Sequence, residues 1–199
     1  MINLSKIVDD IPHKLFLDYY EKAIKNKQKN IEAISISSFD FDLNEVESRI
    51  VNLKYIIDNE WTFFSNYNSP KAKNFDSHNQ ISALFFWESI NLQIRIKAKI
   101  FKAKSELSDE HYISRKEEKN ALAVSSMQSQ KIDSYDQVLK NYKDTFKNKS
   151  KIKTRPDYWG GFTFIPYYFE FWEGHDSRIN RREVYNIESN EWIHSFLQP

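Results

Sequence analysis

Cysteine is absent from the 199 residues, which excludes disulfides, zinc–thiolate sites and thiol nucleophiles. Glycine is scarce: only Gly160, Gly161 and Gly174 occur. That leaves no G-x-G-x-x-G fingerprint and no Walker loop. A phosphorylated ligand would have to be held by Arg, Lys, Ser and helix N-termini rather than by a glycine-rich nest. Charge of one sign is not in excess. The 29 basic and 28 acidic residues leave a net charge of +1, which gives no global field favouring nucleic acid or a membrane surface. Long apolar runs are missing too, and nothing approaches the ~20 residues of a membrane span. The start, MINLSKIVDDIPHKLF, has acids where a signal peptide needs an apolar centre. Five scattered histidines form no metal-ligand spacing. The expectation is a cytoplasmic protein with one domain over residues 1–199, without a metal.

What is present is aromatic and strand-forming. Residues 12–27 carry a helical stripe of Leu15, Phe16, Tyr19, Tyr20 and Ala23 behind Pro12, within an N-terminal helical segment 1–28. Residues 31–41, 46–57 and 60–66 read as strands, the last two joined by a tight DNE hairpin. Residues 69–77 suit a short helix with Ser69 as N-cap and Pro70 at its first position. QISALFFWES, nearly all apolar, reads as a central strand, and LQIRIKAKI alternates strictly. Residues 105–150 turn helical and polar, and the basic run 140–155 reads as a solvated linker. Strands return over 155–199, at 161–172, 181–188 and 191–197. This order argues an α+β fold with a mostly antiparallel sheet closed into a barrel.

Several stretches could carry binding. In SRIVNLK, Arg49 and Lys54 flank an apolar strand and alternate onto opposite faces; spacing alone favours two surface charges over a gripping pair. In FFSNYNSPK, a helix start, a hydroxyl and Lys71 would together seat a phosphate, although such helix starts are common. Gln128 and Ser129 lie in a polar turn that says nothing alone. In WGGFTFIPYYFEFWEGHDSR, the paired glycines would bend the chain into a strand with aromatics on both faces. A second subunit or a flat ring would have to cover one of them. Gly174 would close that strand and deliver Trp172, Arg178, Arg181 and Arg182 to one spot. No general base or nucleophile stands beside them, so chemistry here would need a cofactor.

Taken in order, RIVNLK, FFSNYNSPK, LFFW, the strand with Gln93, QS at 128–129, WGG, EFWEG, SR and the closing W…LQP resemble the pyridoxine (pyridoxamine) 5′-phosphate oxidase family. The resemblance runs from Pro12 to the C-terminus. It implies a split β-barrel with flanking helices, a homodimer, and FMN at the subunit interface. By resemblance the flavin would be held by Arg49, Ile50, Lys54, Phe64, Ser65, Lys71, Gln93, Gln128, Ser129, Trp172 and Arg182. The substrate phosphate would meet Lys54 and Arg115, and Arg178 would lie over the substrate ring as the catalytic residue. The implied reaction moves a hydride from the carbon bearing the amine or hydroxyl to the flavin. Oxygen then reoxidises the flavin, giving hydrogen peroxide and, from the amine, ammonia.

The chain departs from the family pattern at Pro70, where an arginine is usual. One guanidinium contact to the flavin phosphate is lost, worth roughly 1.5–3 kcal/mol, or about tenfold or more in affinity. His111 and Lys119 stand where the family has a tyrosine and a serine that bind substrate. Asn180 and Arg181 follow Arg178 in place of a histidine and an acid. KEEKNALAVSS lacks the usual Pro, Gly and Trp. These changes gather on the substrate side. They keep open an FMN oxidase of the phenazine-biosynthesis type acting on another flat anionic substrate, and a non-catalytic flavin- or pyridoxal phosphate-binding protein. Retention of Lys54 favours the vitamin B6 substrate.

Overall fold

The structure, a computed structural model, describes residues 1–199. The first half of the chain contains β1 (Asn3–Ser5), α1 (Ile11–Lys25), β2 (Ala33–Asp40), β3 (Glu45–Ile57), β4 (Glu60–Asn66), α2 (Pro70–Ser77), β5 (Gln80–Trp87) and β6 (Leu92–Lys102). Then come α3 (Ser105–Ser114), α4 (Glu117–Ser125), α5 (Tyr135–Lys147), β7 (Trp159–Glu173), β8 (Arg181–Glu188) and β9 (Glu191–Leu197). Six strands form a closed antiparallel ring. β3 pairs β2, β2 pairs β5, β5 pairs β6, β6 pairs β7, β7 pairs β4, and β4 returns to β3. Closure leaves these six without a free edge. β1 adds to β3 in parallel, and the β8–β9 hairpin extends from β7.

Local chemistry explains the turns. The β3–β4 hairpin turns through Asp58 at φ 52°, and β8–β9 through Ser189 and Asn190 at φ 50° and 68°. Both use short polar side chains, with asparagine and aspartate the most tolerant of left-handed backbone. β6 keeps its alternation, with Leu92, Ile94, Ile96, Ala98 and Ile100 buried. β5 is central, paired with β2 on one side and β6 on the other, and it alternates as well: Phe85 and Trp87 are buried whereas Phe86 is exposed. The barrel fills with Trp61, Phe63, Phe85, Phe162, Phe164, Phe169 and Phe171. α1 adds Phe16, whose ring packs edge-on against Trp61 at 4.5 Å. Each such ring contributes about 1.5–3 kcal/mol by leaving water.

β7 is the long shared strand. Its N-terminal half pairs β4 and its C-terminal half pairs β8, while β6 pairs with it from Phe162 to Glu173. A register shift opposite Lys97 and Ala98 accommodates Pro166, which has no N–H to give the ladder. The glycines do not bend the chain as the sequence suggested. None has positive φ, and Gly160 and Gly161 lie in extended β7. They serve close approach. A Cβ at Gly160 would meet the Tyr67 hydroxyl, one at Gly161 the Ala103 side chain, and one at Gly174 the Asn91 amide. Cover for the outer face of this end of β7 comes from within the chain: Ser108 of α3 accepts the Gly161 N–H at 3.0 Å.

The polar stretch after β6 is helical as expected, in three helices, α3, α4 and α5. α5 runs to Lys147 and so takes in much of the basic segment expected to be a linker. Arg155, in that same segment, is not solvated freely: it donates to Asp109 at 2.7 Å and to Trp159 O at 2.8 Å. No helix is long and apolar enough to cross a membrane.

Candidate active site

Strict alternation would put Arg49 and Lys54 on opposite faces of β3. The β3–β4 register shifts between Leu53 and Tyr55, making Lys54 the extra residue of a bulge. The cavity takes residues from both faces of β3, Ser48, Ile50 and Asn52 as well as Arg49 and Val51, so Arg49 and Lys54 both line this one space of about 1050 Å³, together with Phe64, Ser65, Lys71, His111, Arg115, Lys119, Gln128 and Ser129. Eleven of the residues expected at the site thus meet around a single space.

One end is built on the start of α2. Ser69 occupies the N-cap position but does not cap: its hydroxyl donates to Asn66 O at 2.7 Å. The Ser69 oxygen instead accepts from Lys71 Nζ at 3.1 Å, and Ser65 Oγ accepts from the same ammonium at 3.1 Å. Lys71 is buried, with no carboxylate in ion-pair contact. Burial, and then the nearby Arg49 guanidinium, push its pKa down to about 8. Two cations held close in a partly desolvated pocket, beside an uncapped helix N-terminus, suit a phosphate dianion. Gln128 braces this end, accepting from Ser65 Oγ and Asn66 N–H, each at 3.3 Å. Ser129 follows at φ 69°, a strained setting for a residue with a Cβ.

The other end lies on α3 and α4. The Arg115 guanidinium sits 4.3 Å from the Trp159 ring centroid and donates to Lys119 O at 3.0 Å. Its NH1 atom is buried without a partner. Burial lowers its pKa from the usual arginine value. Lys119 lines the same wall. Between the ends, His111 stacks on Phe64 and shares a 3.0 Å hydrogen bond, through Nδ1, with the Tyr55 hydroxyl. Lys54 is less free than the sequence implied: its ammonium is 2.6 Å from Glu32 Oε1.

Gln93, Trp172, Arg178, Asn180 and Arg182 are not on this cavity. They gather where β6, β7 and β8 run side by side, with Gln93 opposite Trp172 and Trp172 opposite Arg182. Arg182 is held by the buried Glu170 at 2.7 Å, which also accepts from Arg95 at 2.7 Å. Arg178 is exposed in a left-handed turn at φ 63°. Asn180 Oδ1 accepts the His175 N–H at 3.0 Å and so ties that turn.

Sequence reasoning overlooked Trp159, the platform under Arg115. It also overlooked Tyr55, Glu32 and Glu47, the partners of His111, Lys54 and Arg49. Glu47 had a signal, since it lies two positions before Arg49 on the same strand face. Glu32 comes from a distant part of the chain and had none, whereas Trp159 stood in the WGG motif without its role being read.

This architecture recurs in solved structures. Burkholderia lata PhzG, solved in complex with tetrahydrophenazine-1-carboxylic acid, matches with a TM-score of 0.89 at 21% identity, over 96% of this chain and 99% of that one. A pyridoxamine 5′-phosphate oxidase-related, FMN binding protein from Nostoc punctiforme matches with a TM-score of 0.78 at 9% identity, over 96% and 100%. The closed ring with its β8–β9 extension is therefore the split β-barrel of the pyridoxamine 5′-phosphate oxidase type. Sequence relatives narrow this class. A pyridoxine/pyridoxamine 5′-phosphate oxidase of Hydrogenovibrio crunogenus is 33% identical over 191 residues, covering 94% of this chain and 88% of the relative. One from Haemophilus influenzae is 31% identical over 188 residues, covering 94% and 89%. Residues 159–199 also match a family model described as the pyridoxine 5′-phosphate oxidase C-terminal dimerisation region. The chain belongs to the pyridoxine/pyridoxamine 5′-phosphate oxidase family.

Proposed function

We propose that this protein is an FMN-dependent oxidase converting pyridoxamine 5′-phosphate or pyridoxine 5′-phosphate to pyridoxal 5′-phosphate. Oxygen is the acceptor, and hydrogen peroxide is the product, with ammonia from the amine. The observation that carries this reading is the division of charge in the cavity. Lys71 at one end and Arg115 with Lys119 at the other have no carboxylate within ion-pair distance, whereas Arg49 and Lys54 do. Two open cationic ends in one cavity suit two phosphates, one on the cofactor and one on the substrate.

FMN, when bound, supplies the hydride acceptor and the route to oxygen. The chain's own residues bind and orient. Lys71, Arg49 and Ser65 hold the flavin phosphate, and Gln128 and Ser129 brace that end. Arg115, with Trp159 behind it, takes the substrate phosphate. His111 is neutral at pH 7, its pKa pushed down to about 4 by burial and then by Arg115, Lys54 and Lys119. It therefore meets the substrate as a hydrogen-bonding ring rather than as a cation. No strong acid or base is needed, because alignment of two flat rings does most of the work.

The remaining residues, Gln93, Trp172, Arg178, Asn180 and Arg182, reach the flavin from a second copy of the chain in a homodimer. Two observations support this. Four of the five lie in the segment whose family description names dimerisation. Ile50, at the cavity mouth, is 69% exposed in the single chain, as is Val46 at 70%. In the dimer Arg178 lies over the substrate ring.

A second reading keeps the flavin and changes the substrate to another flat anion, as in phenazine-type enzymes. The Lys54–Glu32 pair favours it, because one cation expected on the substrate phosphate is already neutralised. Steady-state turnover of pyridoxamine phosphate with peroxide detection decides between them. Absence of peroxide at saturating FMN would end the leading reading. Bleaching of the flavin spectrum by pyridoxamine phosphate without oxygen would establish cofactor and substrate together.

A further inference from the structure

Glu47 puts a negative charge on the wall of the cavity's phosphate end. Its Oε2 accepts from Arg49 NH2 at 2.7 Å and from Asn74 Nδ2 at 3.2 Å. Arg49 NH2 has no other partner, but both donor residues are also anchored elsewhere. Arg49 NH1 donates independently to Ser38 Oγ at 2.7 Å and to Ile36 O at 3.3 Å. Asn74 Nδ2 also reaches Ser38 Oγ at 3.3 Å. The guanidinium is thus oriented by neutral groups, and the carboxylate is an addition to a network that is already anchored. It does not satisfy the buried Lys71 either, whose hydrogen-bond partners are the hydroxyls of Ser65 and Ser69. The Glu47 side chain is 37% exposed and that of Arg49 19%, so the pair is partly screened yet close enough to count.

We propose that Glu47 is a tethered competitor for the phosphate seat: it holds one arm of Arg49 in the free protein and opposes the dianion that binds there. The proposal rests on the reading of this end as the flavin phosphate site. A carboxylate beside a dianion is a like-charge neighbour, and the arm of Arg49 that it occupies is one the ligand would otherwise take. The consequence is selective. Glu47 weakens binding of a phosphorylated flavin and leaves an unphosphorylated one untouched, so it sets how readily the protein loads and releases its nucleotide.

The test compares wild type with Glu47→Gln, which keeps an oxygen for Arg49 or Asn74 and removes the charge. Each protein, stripped of flavin, is titrated with FMN and with riboflavin, following quenching of flavin fluorescence. The expected result is that the variant binds FMN about tenfold more tightly, with riboflavin affinity unchanged. Glu47→Ser should shift FMN in the same direction. Equal shifts for both flavins, or unchanged or weaker FMN binding, would overturn the proposal while leaving the flavin site standing. Wild-type protein that binds neither flavin would overturn both.

Discussion

The imidazole of His111 lies flat on the ring of Phe64, with centroids 3.8 Å apart and planes 13° from parallel. Trp159 continues the parallel set, 5.5 Å from Phe64 at 13°. This stack buries the imidazole among Arg115, Lys54 and Lys119 and accounts for a pKa of about 4 against an ordinary 6.5. Folded protein therefore resists a proton that the unfolded chain accepts. Stability attributable to His111 is intact above pH 6.5, falls as pH drops towards 4, and levels off below that. Urea denaturation of wild type and His111→Phe at several pH values should show a difference that changes across this window and is flat above it. A difference independent of pH would contradict the neutral assignment.

Lys71 titrates in the free protein at about 8, and a bound dianion would restore its charge. FMN binding at pH 9 should then take up a proton, visible as a calorimetric enthalpy that depends on the ionisation heat of the buffer. Affinity should fall as pH rises through 8. Lys71→Met should weaken FMN binding about tenfold or more without loss of thermal stability, because it removes a desolvated cation.

Arg115→Ala should raise KM for pyridoxamine phosphate at least about tenfold, since a charge-assisted contact is lost. FMN affinity should stay within about twofold of wild type. Turnover of pyridoxamine lacking its phosphate should not change. If the variant lost activity equally on both substrates, Arg115 would not be the phosphate ligand.

Arg178→Ala should reduce turnover far more than FMN binding, and Arg49→Ala the reverse. A site shared between two copies, as proposed, makes a sharper prediction. Lys71→Met and Arg178→Ala proteins, each impaired alone, should recover activity when unfolded and refolded together. Random pairing gives one intact site in half the dimers, or about a quarter of wild-type turnover. No recovery in verified mixed dimers would place both residues at the same subunit's site.

Gly160→Ala drives a Cβ into the Tyr67 hydroxyl. Overpacking of this kind costs about 1–3 kcal/mol. The variant should melt lower in calorimetry while its flavin affinity, once folded, is largely kept, because Gly160 faces α3 and Tyr67 rather than the cavity.

Much of the strand and helix pattern is legible in the sequence. β6 alternates in sequence as it does in burial, and Ser69-Pro70 marks the start of α2, because a pleat and a helix N-terminus impose local rules. The glycines misled for a physical reason. Glycine is chosen either for backbone freedom or for lack of a side chain, and sequence does not say which. Gly160 and Gly161 are needed for the second, against Tyr67 and Ala103. β5 was legible as a central strand, and only the exposure of Phe86 was not, because an apolar residue at the surface looks the same in sequence as one in the core.

By itself the sequence determined the chemistry open to this protein: no thiol, no glycine nest, paired strand-borne cations and a late run of aromatics, in an order that marks its family. Residue types and short-range spacing carry that information. Tertiary structure alone decided which charges are free. The cavity took in both faces of β3 and so both Arg49 and Lys54, and Glu32 and Glu47 then neutralised those two cations, while Lys71 was buried and Arg115 half-buried without a carboxylate. Electrostatic pairing depends on separations of a few ångströms between residues far apart in the chain, and only the closed barrel sets those distances.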